Sequence, residues 1–464
     1  MVSEPDRTWF QPGLDRLASL GTDPDPGIRA FFSPDQPVFL ARAPGRLDVM
    51  GGIADYSGAR VLELPLDRSA SVMVQRQSAP RCSLATRRAG RWDHFSVELD
   101  GLLSVEAGHW AGYLLGAVHV CLRDRRGAPG AHPGFRLLVD SSVPEGKGVA
   151  SSAALEVAAM SALVGCCGLT MSPERLAAEC QWVENHVVGA PCGIMDQMTS
   201  ACGRENRLLQ LRCQPGTIEG YARVPKGLRF FGIDSGIRHD ISAADYATVR
   251  TAAFMGYRII AEAAGLTVAG DGTGLHIEDP RWRGYLANIA PEEFRNRFED
   301  LLPETMPGAD FLRRCGGITD SMTRVLPDRS YPVRSATAHP IGEQARVTRF
   351  AELLADLEGQ PGHAAELGAL MDASHRSYGR CGLGSSGTDR LVELVAGMGP
   401  ARGLYGAKIT GGGSGGTVAI LGRTDALNAV EEIAARYTGE TGRAAELFVR
   451  SGPGAAETGV MTVG

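Results

Sequence analysis

The chain of 464 residues is 44% hydrophobic and 22% charged, with a formal net charge of −6. That length is room for two domains, each with its own core, and so mild an acidity draws neither nucleic acid nor an anionic membrane. No apolar run is long and unbroken enough to span a bilayer, and residues 1–30 mix charge, Pro and Gly without the apolar core of a secretory signal. The ten cysteines include no C-x-x-C pair, so the expectation is a cytoplasmic protein with free or buried thiols and no zinc site.

In chain order, residues 37–43 read as a strand that breaks at Pro44-Gly45, and residues 61–64 and 71–75 as two further strands. Residues 109–122 carry apolar side chains at helical spacing. A strand at 135–140 runs into the loop 141–149 and then into a helix of small residues, about 151–165. Helices follow at 173–188 and from 191 to 200. A polar turn near residue 226 precedes a strand at 228–233, which divides the chain into units 1–226 and 227–464. Residues 245–264 are helical, and 265–328 are rich in Pro, Gly and charge and read as an insertion with short helices. Amphipathic helices cover 344–357 and 364–378. Residues 404–421 make a strand, a glycine turn and a strand, and 430–437 a last helix. The mixed order and the hairpin-like pairs predict an α+β protein rather than a doubly wound parallel sheet.

Three of the 60 glycines' clusters carry candidate chemistry. Pro144-Glu145-Gly146-Lys147-Gly148-Val149-Ala150-Ser151-Ser152-Ala153 follows a strand and opens a helix. Glycines let backbone approach an anion, and the first N–H groups of a helix lack intrahelical partners and bind phosphate oxygens. Lys147 precedes the serines by too many residues for a Walker A loop, and the same residues also suit a helix that begins at a glycine turn with a serine cap. Thr410 to Thr417 sets five glycines between two apolar strands, which suits either a close backbone approach to a ligand or a wide surface hairpin. In the segment from Arg42 to Gly58, Arg46 and Asp55 sit among glycines and apolar residues, as ligand contacts or as surface ion pairs.

In chain order, the Gly45-Arg46 segment, the Ser-Ser-Ala loop and the late glycine-rich hairpin resemble the three signature motifs of the GHMP kinase superfamily, and within it the galactokinases. Gly189-Ala190-Pro191-Cys192-Gly193-Ile194-Met195-Asp196-Gln197 supports the likeness. Leu47 to Tyr56, Glu145-Gly146-Lys147-Gly148, Asp234-Ser235-Gly236-Ile237-Arg238-His239 and Cys381-Gly382-Leu383-Gly384 resemble the kinase domain of plant-type L-arabinokinases. The resemblance runs from about residue 39 to 421, except for 265–328. It implies a two-domain α+β kinase with its active site in the cleft between the domains, ATP and Mg²⁺ as cofactors, and a small sugar as the other partner. It also implies that Asp196 orients or deprotonates the sugar hydroxyl and that Arg46 stabilises charge on the transferring phosphoryl group. Ser152 and Glu184 would hold magnesium. Gly146, Lys147, Gly148, Ser151, Ser152 and Ala153 would wrap the phosphates, with Trp110 near the adenine. Asp55, Gly193, Tyr246, Gly412 and Gly413 would lie near the sugar.

Departures from the family pattern bear on the substrate. Galactokinases carry Glu and His where this chain has Gly52 and Ile53, and those side chains meet the sugar's C6 end. L-Arabinopyranose has the ring stereochemistry of galactose without the C6 group, so a pocket with no polar contact there suits it. The expected reaction is therefore phosphorylation of L-arabinose at the anomeric hydroxyl. Galactose and a 6-deoxy sugar such as D-fucose are the alternatives within the class, and a catalytically idle sugar and nucleotide sensor is the alternative outside it. Ala150 stands where the family usually has Ser.

Overall fold

Seven segments of the first half and one from residues 460–463 pair into an eight-stranded sheet. The computed structural model describes residues 6–88, 90–123, 133–238, 244–270, 275–357 and 362–464; His239 and residues 271–274 of the insertion lie outside them. The sheet's centre is an antiparallel pair, β1 (Val38–Met50) and β2 (Arg60–Gln77). The upper half of β2 pairs with a strand at Gly134–Ser141, which lies parallel to Arg81–Arg88; the hairpin partner Arg91–Glu98 closes that edge. The lower half of β2 pairs with Arg207–Arg212, itself paired with Thr217–Arg223.

Helices Ala111–Arg123, Ser151–Cys167, Pro173–Val183 and Met195–Cys202 share one core with this sheet, through Leu114, Val118, Val157, Leu163, Val183 and Met198. The N-terminal segment covers the opposite side, where Phe10, Ile28 and Phe31 pack on Leu40, Met73 and Leu138. Coverage on both sides explains why β1 and most of β2 are buried at successive residues instead of at alternate ones.

The second half builds a four-stranded antiparallel sheet in the order Leu404–Ile409, Thr417–Arg423, Leu228–Asp234, Leu447–Phe448. Helices Ser386–Met398 and Leu427–Thr441 pack on it through Leu391, Val395, Val430 and Ile433. A further core joins the long helices Ala244–Ala263 and Val333–Ala355 to residues 265–328, whose Trp282, Phe294, Phe298 and Phe311 are all buried. The two sheets, the helices and their order make an α+β fold. Among the described residues no helix is long and apolar enough to cross a membrane.

Four expectations change. Pro44-Gly45 does not end the first strand: β1 runs through it with register shifts between Pro44 and Arg46 and between Asp48 and Met50. Proline's missing N–H falls at the irregularity, where the ladder does not need it. The two strands expected at 61–64 and 71–75 are one strand of 18 residues. Residues 460–463, placed by the sequence in the second unit, return to the first sheet, because Val460–Val463 pairs with Val38 to Ala41. The helix expected at 344–357 begins at Val333 and carries Pro340 inside it.

Candidate active site

The irregularity in β1 sets up Arg46. Its backbone N–H leaves the ladder and donates to the Val149 carbonyl at 3.0 Å, which ties the strand to the 144–152 loop. The side chain is 2% exposed. Its Nε and Nη2 both bond Oδ1 of Asp196, at 2.9 and 2.8 Å, and Nη1 donates to the Gly148 carbonyl at 2.7 Å. Nε also lies 3.3 Å from Glu63 Oε2. Burial, with Asp48 nearby, pushes the Glu63 carboxyl well above the usual range; the two shorter bonds make Asp196 the main anionic partner of Arg46. Asp196, in the first turn of its helix, keeps 24% of its side chain exposed to the cleft.

The loop before helix Ser151–Cys167 is held in an unusual shape. Ala150 precedes the helix at φ 59°, ψ 50°, the left-handed region, which costs a residue with a Cβ about 1–2 kcal/mol. No side chain caps this helix start, and Ser151 and Ser152 line the cleft. The first-turn N–H groups are therefore uncapped donors at the positive end of a 17-residue helix, an arrangement able to receive an anion. The late glycine run packs against this loop. A Cβ added at Gly411 would lie 2.8 Å from the Gly148 carbonyl, and Thr417 Oγ1 donates to the Lys147 carbonyl at 2.8 Å.

Helix Pro173–Val183 continues into a wider π turn, Glu184–Val188, which brings Glu184 to the cleft; such turns are frequent at functional sites. Glu184 accepts hydrogen bonds from Ser152, Cys192 and Gln197. Burial and the neighbouring Asp196 push its carboxyl up to about 7. Gln197 Nε2 joins Glu184 Oε2 at 2.5 Å to Glu156 Oε2 at 3.3 Å, while Gln197 Oε1 and Glu156 Oε1 are buried without a partner.

At the other end, Asp55 is buried and accepts the Tyr56 N–H at 2.7 Å. Burial, with Asp196 close by, pushes Asp55 up to about 7. Gly193 fits because it has no side chain: an added Cβ would overlap the Asp55 carboxylate. Ile53 is buried and lines the cleft beside Tyr246.

The walls line an open cleft assembled from both halves of the chain. It brings together Arg46, Gly52, Ile53, Asp55, Gly146, Gly148, Ser151, Ser152, Glu184, Gly193, Asp196, Tyr246 and Gly412. Four expected site residues are not among its walls. Lys147 turns away to an ion pair with Asp234. Ala153 is fully buried in the core. Gly413 packs against Leu383, and Trp110 packs on the core of the first sheet and stacks with His109. Gly52 also differs from expectation. An added Cβ there would overlap the Tyr378 hydroxyl, at a φ of +41°, so position 52 has no room for a side chain, and the neighbouring wall of the cleft is the apolar Ile53.

The sequence reading missed Glu63, Glu156, Gln197 and the pair Asp48 and Lys408. Lys408 Nζ meets Asp48 Oδ2 at 2.5 Å, both fully buried, and Asp48 Oδ1 accepts the Gly52 N–H at 3.0 Å. For Glu63, Asp48 and Lys408 the signal is a charge inside a largely apolar strand, as in Val61-Leu62-Glu63-Leu64, which the fold must bury with a partner or a proton; Glu156 and Gln197 lie on helices and carry no such mark.

The cleft joins a helix N-terminus, an Arg–Asp pair and glycine runs from two sheets, and the chain matches the models of both GHMP kinase domains. Its residues 112–204 match the GHMP kinases N terminal domain, 350–439 the GHMP kinases C terminal domain, and 29–76 the galactokinase galactose-binding signature. The chain is 39% identical to L-arabinokinase from Arabidopsis thaliana over 93% of its own length, and spans about half (47%) of that plant protein. It is 28% identical to a galactokinase of Chloroflexus aggregans, covering 91% of this chain and 93% of that one. Among solved structures, Lactococcus lactis galactokinase complexed with galactose superposes with a TM-score of 0.72 at 19% identity, over 96% of this chain and 98% of that one.

Proposed function

We propose that the chain is a cytoplasmic, ATP-dependent sugar-1-kinase that phosphorylates the anomeric hydroxyl of L-arabinose, giving L-arabinose 1-phosphate and ADP. The observation that carries this reading is the Arg46–Asp196 pair, set between the open N-terminus of helix Ser151–Cys167 and a pocket end formed by Asp55, Gly193, Tyr246 and Ile53. The relatives named L-arabinokinase and galactokinase support it. Ten free cysteines suit a reducing compartment.

Phosphoryl transfer asks little covalent chemistry of a protein; it asks for position and charge stabilisation. The helix N–H groups and Ser151 bind the phosphates. Both Arg46 bonds land on Oδ1 of Asp196, which leaves Oδ2 to take the hydrogen bond of the acceptor hydroxyl and then its proton. Arg46 fixes that carboxylate and places positive charge beside the transferring group. Asp55 binds sugar hydroxyls at the far end.

The donor set fits Mg²⁺. Among the described residues no group of three or more His, Cys, Asp or Glu is arranged for a metal, and this ion is commonly held by one or two protein oxygens with substrate phosphates and water. Ser152 and Glu184 would hold it, and the partnerless Gln197 Oε1 and the elevated Glu184 carboxyl mark a spot short of positive charge. Bound there, the ion would neutralise charge on the phosphate oxygens.

Substrate choice rests on Ile53. The C6 hydroxyl of galactose would lose water against this side chain and gain no partner, a cost on the order of 1–3 kcal/mol. ADP release measured with L-arabinose, galactose, D-fucose and glucuronate should therefore favour arabinose over galactose by about ten- to a hundredfold in kcat/KM. A preference for galactose would replace the reading with the galactokinase alternative, which the match to the galactose-binding signature favours.

A further inference from the structure

Residues 265–328 fall outside the resemblance to galactokinases, yet one of them reaches the sugar end of the cleft through a single intermediary. Arg250, on helix Ala244–Ala263, is buried. Its Nε and Nη2 make a two-pronged bond to Asp320 Oδ2 and Oδ1, each at 2.8 Å. Asp320 is in turn fixed within its own loop, accepting Thr323 Oγ1 at 2.7 Å and the Met322 N–H at 3.2 Å. Bidentate, charge-assisted bonds of this kind fix orientation as well as distance.

The third nitrogen of Arg250 bonds a residue of the cleft wall. Nη1 donates to the Cys192 carbonyl at 3.1 Å, and the guanidinium lies 5.4 Å from the centroid of the Tyr56 ring. Cys192 is joined to Gly193, and Tyr56 to Asp55, the two residues so closely opposed that Gly193 has no room for a side chain. One guanidinium thus touches both segments that bring Asp55 and Gly193 together, one through a backbone carbonyl and the other through an aromatic ring, and Asp320 holds that guanidinium in place.

We infer that Asp320 and Arg250 are positioning residues for the sugar, and that residues 265–328 act as the brace that sets the Asp55–Gly193 spacing. The inference rests on the sugar-kinase reading above. Neither residue lines the cleft, and the phosphate loop makes no bond to either, so the effect is confined to the sugar half.

The test uses the full chain with Asp320→Asn, which keeps the shape and loses the charge, and separately Arg250→Lys, which keeps the charge and loses the fork. With L-arabinose varied at saturating ATP, and ATP varied at saturating sugar, either variant should raise the sugar KM about tenfold or more, since an ångström of misplacement costs up to about a hundredfold. The ATP KM should stay within about twofold. If one variant fails to fold, the other alone decides. A sugar KM that does not move, or equal rises in both KM values, overturns the inference while the kinase reading stands. A wild-type chain that releases no ADP with any sugar overturns the reading and the inference with it.

Discussion

Asp196→Asn lowers kcat by about two to four orders of magnitude, the usual worth of a positioned general base, and leaves ATP binding nearly intact. The substitution is close to isosteric, and an amide oxygen still accepts from Arg46, so the frame in which Arg46 holds Gly148 and Asp196 survives. What is lost is the second carboxylate oxygen, the one proposed to take the sugar proton. Asp196 is also the partly exposed end of a chain of otherwise buried groups, Glu63 and Arg46 behind it, so its replacement disturbs the site more than the core. Single-turnover and steady-state rates at saturating sugar, alongside ATP titration, separate these effects. Near-normal turnover removes Asp196 from the chemistry.

Lys408→Met destabilises the fold by about 3–5 kcal/mol, the cost of leaving a buried charge without its partner. The pair it breaks joins the second sheet to β1: Lys408 Nζ binds both the carboxylate and the carbonyl of Asp48. Asp48 in turn receives N–H from Gly52 and, through its own N–H, bonds Thr410 Oγ1 at 2.7 Å. Tyr378 caps the same network, accepting the Ile53 N–H at 2.9 Å and donating to the Gly411 carbonyl at 3.1 Å. One buried pair therefore fixes the first and third glycine clusters against each other. Adding Asp48→Asn to Lys408→Met should recover most of the loss, because a neutral amide needs no counter-charge. Urea midpoints of the single and double variants measure this. A single variant within about 1 kcal/mol of the parent contradicts the account of the pair.

Much of this was legible because local pattern and function coincide. The strand at 134–141, the small-residue helix from Ser151 and the hairpin around the late glycine run are each announced by composition over a dozen residues. The strands at Arg81–Arg88 and Arg91–Glu98 were not, because arginines and acids interrupt their apolar alternation and their place depends on pairing across the sheet. The return of Val460–Val463 to β1 is a contact between chain segments some four hundred residues apart, which no local period encodes. In the site, the motif residues were legible by type and order. Their partners were not. Asp320 looks like any acid in a charged insertion, and only the fold shows that it meets Arg250. Lys147 looked like a phosphate ligand because it stands in the loop; its side chain instead pairs with Asp234 at the edge of the second sheet. Gly52 looked like a missing polar contact, and the overlap with Tyr378 makes it a backbone requirement.

The central claim is that the cleft transfers phosphate from ATP to the anomeric oxygen of L-arabinose. Incubating the chain with ATP, Mg²⁺ and L-arabinose and recording proton–phosphorus NMR on the products tests it most directly. The account predicts ADP and one new phosphomonoester whose phosphorus couples to the anomeric proton of the sugar. Phosphate on another carbon, or ATP left intact beside the sugar, would contradict it.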